Sequence, residues 1–493
     1  MKFTKNIPLL LLFAILLASC RNDDDQQSSA SINDFVWKGL NSWYYWQPNV
    51  PNLSDQVMNN SNQYSSIING KSPDQLFYSL LYNYNTQPRI DRFSWIVNDV
   101  NALLASFNGI TKSNGMDFSL YYKDAGQVNI VGIVNYVVPG SSAAAAGIVR
   151  GDVITKVNNA DLTSANYTQL MNDQITVTIA DSVSQTSAGI VTTGGQNYSL
   201  TASVLEENPI AYYEKFQQNG KTIGYLVYNG FKSNYNDELN AAFATMKADG
   251  VNELILDLRY NGGGSVETAV ALGSMITGQF TGQPYVKIEF NQKHSQYNET
   301  NNFQNKVKTY GFSNGQTVQT GEQTVNSLNL NKVYVLTSSG TASASELTIV
   351  GLKAYINVVT IGAETYGKFV GSNTLFDSPS QDYLSYDNRN KSHNWAMQPI
   401  TFSYFNGNHD PNPTNGIAAD QAINSYSYFG TLQEFGNPSD PALNTALNLA
   451  SAKMPQNAGY SSFQKSKSFL HNSKTMTKFG TEIYIDNMKE FVK

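Results

Sequence analysis

Cysteine and histidine are both scarce in this sequence. Cys20 is the only cysteine among 493 residues, so no disulfide can form within one chain. Metal hydrolases need clustered ligands at short spacing, such as H-E-x-x-H, and the sequence has neither that motif nor a cysteine cluster. The four histidines lie apart in polar stretches, as His294, His393, His409 and His471. We therefore expect no metal and no other cofactor.

Excess positive charge and long apolar runs are missing as well. The formal net charge is −6, which gives no basic surface for nucleic acid, so we expect no nucleic-acid partner. No stretch beyond residue 20 is long and apolar enough to span a bilayer. What the chain does contain is 41% hydrophobic and 12% aromatic residues, which is ample for packed cores. Its length predicts two to four domains.

The first 20 residues have the features of a secretory signal. Lys2 and Lys5 precede an apolar stretch over residues 7–18 that is too short for a membrane span. The stretch ends in L-A-S-C, which resembles the bacterial lipobox, where the cysteine is lipidated and becomes the mature N-terminus. The resemblance predicts a lipid on Cys20, and the alternative is a chance cysteine beside a cleaved signal. Residues 21–31 are polar and are expected to form a disordered tether.

Two features beyond Cys20 bear on location. Arg21, rather than an aspartate, follows the cysteine, which by resemblance to bacterial sorting rules favours the outer membrane. The acidic run at 23–25 is similar to export tags that move some lipoproteins to the cell surface. We expect an extracytoplasmic, lipid-anchored protein at the outer membrane, on its periplasmic face or at the cell surface.

Residues 32–110 combine helical spacing with many aromatic side chains. Ser72 and Pro73 predict a helix start, because serine caps a helix and proline fits its first turn. Aromatic residues at this spacing are usually core contacts, and a sugar-binding surface is the alternative. We predict a small N-terminal helical domain.

Residues 111–205 change to short β-like runs around the stretch 139–154, which reads P-G-S-S-A-A-A-A-G-I-V-R-G-D-V-I. The Pro-Gly pair turns the chain, the alanines predict a thin helix, and Gly147 ends it. This pattern resembles the core of bacterial PDZ domains, which bind an extended peptide as an added strand.

Such domains keep a loop whose N–H groups bind a peptide carboxylate, and the residues at that place here are Gly115, Met116, Asp117 and Phe118. Asp117 is a departure from the pattern that would repel a carboxylate. The alternative role for this domain is to brace its neighbour.

Residues 206–455 alternate strands and helices, which predicts α/β packing. A buried strand at 253–258 leads into a glycine loop, R-Y-N-G-G-G, and then a helix at 266–276. No G-K-[ST] follows, so neither a P-loop nor a dinucleotide site is indicated. We interpret the polar region 278–329 as insertion loops with short strands near the active-site face, and residues 456–493 as a loosely docked C-terminal tail.

Ser343 lies between a short apolar strand at 333–336 and a helix at 347–354. A helix start offers N–H groups and a positive dipole end, which suits a nucleophile. The same residues also form an S-x-x-E capping box with Glu346, in which the serine only closes the helix. A turn flanked by glycine presents Lys368, 25 residues after Ser343, and a strand-turn-helix-strand unit can return it to the serine.

These residues resemble the C-terminal processing (tail-specific) serine peptidases, which use a Ser-Lys dyad. The family pattern S-A-S-E is met at 343–346, T-x-G-K at 365–368, and D-L-R-x-N-x-G-G at 257–264. The departures are Ala354, where the family often has aspartate, and Ala419 in place of a proline.

The resemblance implies a mixed α/β fold with a peptidase core of the crotonase-like type and a role for each matched residue. It makes Ser343 the nucleophile and Lys368 the base. The implied oxyanion-hole residues are Ala344, Gly262 and Gly263, and the supporting residues are Glu346 and Thr365.

The predicted function is a serine endopeptidase that cleaves extracytoplasmic proteins, with the PDZ-like domain assisting recognition of C-terminal segments. Lys368 must be neutral to accept a proton, so its pKa must fall about three units from 10.4, on the order of 4 kcal/mol. The alternative is a lipoprotein that binds peptides without cutting them. The oligomeric state is left open.

We predict that lipid on Cys20 holds the protein at the membrane. Cys20→Ala should move the protein to the soluble extracytoplasmic fraction, because alanine has no thiol to carry lipid, and burial of the acyl chains in the bilayer provides the anchor. Fractionation of cells expressing each form measures this. Equal amounts of both forms at the membrane would contradict the lipid anchor.

Overall fold

The computed structural model describes residues 21–123, 126–186, 189–313, 315–452, 469–478, 480–486 and 488. Ten α-helices lie within these residues: α1 (Arg21–Trp43), α2 (Asp55–Met58), α3 (Ser61–Ile68), α4 (Pro73–Ser79), α5 (Val100–Phe107), α6 (Ser142–Ala145), α7 (Asn236–Ala248), α8 (Val266–Thr277), α9 (Ala344–Lys353) and α10 (Pro441–Ala450).

The strands of the described residues are β1 (Trp95–Val97), β2 (Ile110–Ser113), β3 (Met116–Tyr122), β4 (Ile130–Val137), β5 (Val153–Val157), β6 (Ala160–Asp161), β7 (Gln174–Ile179), β8 (Ser182–Thr186), β9 (Gly189–Thr193), β10 (Gln196–Thr201), β11 (Ser203–Glu206), β12 (Ile210–Gln218), β13 (Lys221–Tyr228), β14 (Glu253–Asp257), β15 (Gly264–Ser265), β16 (Pro284–Phe290), β17 (Glu299–Asn302), β18 (Lys306–Ser313), β19 (Gln316–Thr324), β20 (Lys332–Thr337), β21 (Asn357–Gly362), β22 (Val370–Ser372), β23 (Leu375–Phe376), β24 (Ala396–Gln398), β25 (Ile400–Asn406), β26 (Gln421–Ala422), β27 (Phe469–Asn472) and β28 (Ile483–Tyr484). The predicted mixed α/β class is confirmed.

Internal contacts divide the chain into two compact units. The first contains the residues up to Asn98 together with Thr374–Pro399, and the second contains Asp99–Asn373 and Ile400–Lys493. We predicted that residues 206–455 form the peptidase core. Instead, residues 374–399 belong to the first unit, because β23 and β24 form a three-stranded sheet with β1.

Helix α1 supplies much of the core of the first unit. Phe35, Trp37, Leu40 and Trp43 are all almost fully buried, so the three aromatic side chains among them are core contacts. The helix begins at Arg21, so the expectation of a disordered tether over 21–31 is wrong. Extending an existing helix costs less than nucleating one, and the buried C-terminal half of α1 supplies the nucleus.

The predicted start of α4 is confirmed. Pro73 occupies the first turn, and Gln75 accepts a hydrogen bond from the N–H of Ser72 at 3.1 Å. The two residues form a capping box that satisfies N–H groups at the start of the helix.

The second unit contains the β-rich region predicted from 111–205. Its seven-stranded sheet has the order β10-β7-β5-β4-β3-β27, with β6 paired to β5. Phe118, Leu120, Val134 and Ile154 are buried in the core of this sheet. Short helix α6 is capped by Ser141, whose Oγ accepts from the Ala144 N–H at 3.1 Å.

A six-stranded sheet in the order β12-β13-β14-β20-β21-β26 forms the centre of the second unit. All its neighbouring strands are parallel except the edge pair β12 and β13. Helix α10 packs on this sheet through Ala442, Leu443, Ala446 and Leu447. Parallel strands end at the same edge, so the loops after β14, β20 and β21 lie together there.

The third large sheet has the order β15-β28-β22-β25-β16-β17. It takes β16 and β17 from the polar region 278–329, while β18 and β19 form a separate hairpin. Strands β27 and β28 come from the segment that we expected to be a loosely docked tail. That expectation is wrong for the described residues, because β27 pairs with β3 and β28 pairs with β15 and β22.

The described residues contain neither a membrane-spanning helix nor a metal-binding cluster. No helix there combines the length and hydrophobicity needed to cross a bilayer. No group of three or more histidine, cysteine or carboxylate side chains there is arranged to hold a metal ion.

A buried ion network joins the seven-stranded sheet to the central six-stranded sheet of this unit. Arg259 lies between Asp257, 2.6 Å from its guanidinium, and Asp440, at 2.8 Å. Arg150 reaches Asp440 at 3.2 Å from the loop that precedes β5. Burial raises the pKa of Asp440, but the two guanidinium groups lower it by more, so its pKa lies below the ordinary value.

We predict that Asp440→Ala lowers the free energy of unfolding by about 3–5 kcal/mol, because it leaves two buried guanidinium groups without their shared carboxylate. Urea denaturation measures the change. The control is Asp161→Ala, whose pair with Lys156 at 3.1 Å is exposed and is worth at most about 1 kcal/mol. Equal costs for the two variants would contradict a stabilising network.

The same pair of proteins gives a pH check. Because the pKa of Asp440 is depressed, its contribution is fully present at neutral pH and is lost as the pH falls through that pKa. The stability difference between wild type and Asp440→Ala should therefore shrink in acid.

Candidate functional site

The candidate site lies where the loops after β14, β20 and β21 meet. The first loop carries Gly262 and Gly263, the second carries Ser343, and the third carries Lys368. Main-chain groups join the first two loops, because the carbonyl of Asn261 accepts from the Ala342 N–H at 3.2 Å and the Ser345 hydroxyl at 3.0 Å. The serine turn is thereby fixed on the glycine loop.

Ser343 occupies the left-handed side of backbone space, with φ 65° and ψ −117°. A non-glycine residue held there costs about 1–3 kcal/mol, and such strain concentrates at functional sites. The Ser343 N–H donates to Glu346 Oε2 at 2.8 Å, which compensates for part of this cost.

The capping box predicted from the sequence is present at Ser343 and Glu346. Glu346 accepts from the backbone of Ser343, and the serine side chain lies over the first turn of α9. Nevertheless, the buried Ser343 Oγ has no hydrogen-bond partner among the described residues. A buried hydroxyl without a partner is unfavourable in a purely structural residue, and it is expected of a nucleophile that waits for substrate.

Glu346 connects the serine turn to the lysine turn. Its Oε2 accepts from the N–H groups of Ser343 and Lys368, the latter at 2.9 Å. Its Oε1 accepts from the Gly367 N–H at 2.8 Å and the Thr365 hydroxyl at 2.5 Å. Burial raises the pKa of Glu346 although these four hydrogen bonds act in the opposite direction. The predicted supporting residues, Glu346 and Thr365, therefore bind each other and bring Ser343 and Lys368 side by side.

Tyr404 makes a second connection that the sequence did not indicate. Its hydroxyl lies within hydrogen-bond distance of the Lys368 carbonyl and 3.4 Å from the Ser343 carbonyl. Asn412 Nδ2 donates to the same Lys368 carbonyl at 3.2 Å. Tyr404 is in β25 and Asn412 is in the loop after it, and neither belongs to a motif, so only the fold reveals them.

The Lys368 side chain is fully buried, and the C-terminal segment supplies two of its acceptors. Its Nζ donates to the Thr481 carbonyl at 2.7 Å and lies 3.2 Å from Glu482 Oε2. Glu482 also accepts from the Ser372 hydroxyl at 3.1 Å. Sequence analysis missed these residues because residues 456–493 carry no recognised motif.

Glycine is required at positions 262 and 263 by close approach of the backbone. A Cβ at Gly263, where φ is +110°, would lie 2.6 Å from Ser343 Cβ and 3.0 Å from the Ala344 nitrogen. A Cβ at Gly262 would lie 1.7 Å from the Gly480 carbonyl oxygen. The Gly263 N–H already donates to Asn261 Oδ1 at 2.9 Å. The structure therefore places Gly263 against Ser343 and Ala344, while Gly262 lies against the Gly480 carbonyl.

The predicted peptide-binding residues lie at the start of β3. Gly115 has φ +87°, and Met116, Asp117 and Phe118 are buried. Asp117 accepts from Asn135 Nδ2 at 2.7 Å, and burial raises the pKa of Asp117. A cavity of about 630 Å³ is lined by these four residues and also by Gly262, Gly263 and Glu482. The predicted lipidation site at Cys20 lies outside the described residues.

Comparison with known families gives three matches along the chain. The peptidase S41 N-terminal domain matches residues 31–95, a PDZ domain matches 133–179, and peptidase family S41 matches 222–404. The last range contains Ser343, Lys368 and the glycine loop.

Similar proteins agree with these matches. A CtpA-like serine protease of Staphylococcus aureus is 24% identical over 242 residues, which is 48% of this chain and 41% of that protein. A CtpA-like serine protease of Staphylococcus haemolyticus is 24% identical over 53% of this chain and 48% of its own length. The chain thus spans less than half the length of these relatives. The crystal structure of an S41 protease from Bacteroides fragilis covers 85% of this chain and 97% of its own, with 25% identity and a TM-score of 0.63.

We predict that Glu346→Gln loosens both turns at once. In either orientation the amide directs a donor group at backbone N–H groups that now donate to a carboxylate oxygen, and each buried group left unsatisfied costs about 1–3 kcal/mol. Amide hydrogen exchange should therefore speed up at Ser343, Gly367 and Lys368, and the free energy of unfolding should fall. Glu253→Gln is the control, because Glu253 pairs with the partly exposed Lys221 away from this site. Unchanged exchange at all three amides would contradict this role for Glu346.

Proposed function

Because the chain belongs to peptidase family S41, we propose that it is a serine peptidase in which Ser343 is the nucleophile and Lys368 the general base. One observation carries the proposal: Glu346 and Tyr404 together bind the main chains of Ser343 and Lys368, although 25 residues separate them. A helix cap alone gives no reason to bring in a buried lysine turn.

In the proposed reaction, Ser343 Oγ attacks the carbonyl carbon of the scissile peptide bond and its proton passes to neutral Lys368 Nζ. The tetrahedral intermediate then breaks the C–N bond, and Lys368 returns the proton to the leaving amine. Water, deprotonated by the same lysine, hydrolyses the resulting ester. The three-unit reduction of lysine pKa that this needs corresponds to about 4 kcal/mol, and burial favours the neutral amine.

The proposed oxyanion donors are the N–H groups of Ala344 and Gly262. The Gly263 N–H donates to Asn261 Oδ1, so it is not one of the proposed oxyanion donors. The role of Gly263 is steric, because the absence of a side chain lets its backbone lie close to Ser343. Ala344 is the first residue of α9, where the helix dipole favours negative charge. A well-aimed donor lowers the barrier by about 3–4 kcal/mol.

The proposed substrates are extended segments of extracytoplasmic proteins. One edge of β3 already pairs antiparallel with an extended segment, β27, and the cavity beside β3 is lined by both Gly115 and Gly263. Gly263 is the glycine that lies against Ser343. We propose that the protein is held by lipid on Cys20 at the outer membrane, which would place the site outside the cytoplasm.

The second candidate function is peptide binding without hydrolysis. The observation that favours it is the ion pair between Lys368 and Glu482, because a lysine held as an ammonium cannot take the serine proton. Ala354, at the end of α9, replaces the aspartate that similar peptidases often have.

We predict that Ser343→Ala, Lys368→Ala and Lys368→Arg all abolish hydrolysis of an unstructured protein substrate. Arginine keeps the positive charge but does not deprotonate at working pH. In the wild type, kcat/KM should rise with pH through about 7–8, because only the neutral lysine accepts a proton.

The matched control is Lys232→Arg. Lys232 lines the cavity beside the glycine loop, and burial lowers its pKa to about 8, so it is the alternative base. Its ammonium donates to the Ser106 carbonyl at 2.8 Å, so we expect Lys232→Arg to retain activity. Activity that survives in Lys368→Arg and is lost in Lys232→Arg would overturn the Ser343–Lys368 mechanism.

A further inference from the structure

We propose that the C-terminal segment, described over residues 469–478 and 480–486, is an intramolecular inhibitor, which binds along the PDZ-domain edge and the catalytic cleft as a pseudosubstrate and keeps Lys368 from acting as a base. This proposal rests on the proposed peptidase function. The segment occupies the surface that a substrate would use, which consists of the β3 edge and the glycine loop.

The first half of the segment occupies the peptide-binding edge of β3. One edge of β3 pairs with β4, and β27 pairs antiparallel with the other. Phe469 is opposite Tyr121, and Asn472 is opposite Ser119. An added antiparallel strand is how PDZ domains hold an extended peptide. A substrate can therefore use this edge only after β27 has left it.

The bound segment continues past the loop where a terminal carboxylate would bind. The Ser473 N–H donates to the Phe118 carbonyl at 2.9 Å, and its hydroxyl donates to Asp117 Oδ2 at 2.6 Å. A carboxylate there would face the acidic side chain of Asp117, whereas a serine hydroxyl donates to it. Asp117 thus suits an internal segment of this kind better than a free C-terminus.

Lys474 carries the segment from the PDZ domain toward the catalytic loops. Its ammonium donates to the Asn229 carbonyl at 2.8 Å and lies 5.7 Å from the ring centroid of Tyr136. Asn229 follows β13 of the peptidase core, and Tyr136 belongs to β4 of the PDZ sheet. The Lys474 side chain therefore contacts both the peptidase core and the PDZ sheet.

The second half of the segment lies against the glycine loop of the proposed catalytic site. The Gly480 carbonyl lies against Gly262, and the Glu482 carbonyl oxygen would be 2.4 Å from a Cβ at Gly263. Strand β28 then pairs in parallel with β15, immediately after these glycines. Segment backbone thus covers the loop beside Ser343 Oγ.

Within the cleft, the segment binds the amine that catalysis requires. Lys368 Nζ donates to the Thr481 carbonyl, and Glu482 provides a buried negative charge 3.2 Å away. The ion pair favours the ammonium form, which has no lone pair to accept a proton. Ser343 Oγ meanwhile has no hydrogen-bond partner among the described residues.

Asp486 anchors the far end of the segment through hydrogen bonds from Ser233 and Ser265. Burial and the nearby Glu267 raise the pKa of Asp486 to about 6, while the two serines and Lys308 act in the opposite direction. A released carboxylate titrates near 4, so docking is strongest below about pH 4 and weakens as the pH rises toward 6. This anchor therefore contributes less to docking at neutral pH than in acid.

The test compares kcat/KM for an unstructured protein substrate in wild type, Glu482→Gln and Ser473→Ala, all in the full-length chain. Glu482→Gln keeps the size of the side chain and removes its charge, so we expect kcat/KM to rise by about tenfold or more. Ser473→Ala should raise it by a smaller factor. Thr477→Ala is the matched control, because its hydroxyl donates only within the local turn, to the Lys474 carbonyl, and it should behave as wild type.

Docking is measured separately by amide hydrogen exchange, with each tail variant placed in a Ser343→Ala background. We expect faster exchange in β3 for Ser473→Ala and in β28 for Glu482→Gln. If exchange becomes faster in the variants but no Ser343-containing form hydrolyses the substrate, the docking of the segment is supported and the peptidase proposal is refuted.

The opposite pattern would refute the inhibitor. If hydrolysis depends on Ser343 and Lys368 while the tail variants change neither kcat/KM nor exchange, the segment does not inhibit. A lower kcat/KM in Glu482→Gln with unchanged exchange would overturn the proposal by making Glu482 an assistant to Lys368.

Discussion

The candidate site depends on one buried carboxylate. Glu346 accepts hydrogen bonds from three backbone N–H groups and one hydroxyl, which come from the two turns that carry Ser343 and Lys368. Burying a carboxylate is expensive unless such donors surround it, so the turns and the carboxylate stabilise each other. Ser343 can retain a strained backbone because this network fixes its N–H.

The glycine loop is held in position by the buried ion network. Arg259 directly precedes the loop residues Tyr260 and Asn261, and its guanidinium is bound by Asp257 and Asp440. Asp440 also caps α10 by accepting from the Ala442 N–H at 3.0 Å. Because Arg150 of the PDZ region binds the same carboxylate, the loop beside Ser343 is connected to both sheets.

The C-terminal segment contacts the surfaces of the site that a substrate would use. A substrate-free peptidase with an open cleft would leave the β3 edge, the glycine loop and the lysine available to any extended chain. Here all three contact residues 469–486 of the same chain. A tethered segment has a high effective concentration, so modest contacts suffice to keep it bound, and a substrate must compete with it.

The sequence alone determined the α/β class, the start of α4, and the pairing of a serine turn with a lysine turn at a spacing of 25 residues. These follow from local patterns, because strand periodicity, helix capping and glycine turns are set by neighbouring residues. It also predicted Glu346 and Thr365 as supporting residues and a capping contact between Glu346 and Ser343, but not that Glu346 binds the lysine turn as well.

Only the tertiary structure decided what depends on residues distant in the chain. Tyr404, Asn412, Thr481 and Glu482 contact Ser343 or Lys368 across separations that no short motif spans. Residues 374–399 join the first unit by pairing with β1, and β27 and β28 enter two different sheets. Strand pairing and buried ion pairs reward the complementarity of remote surfaces, and a polar, motif-poor segment gives no local sign of which surface it will meet.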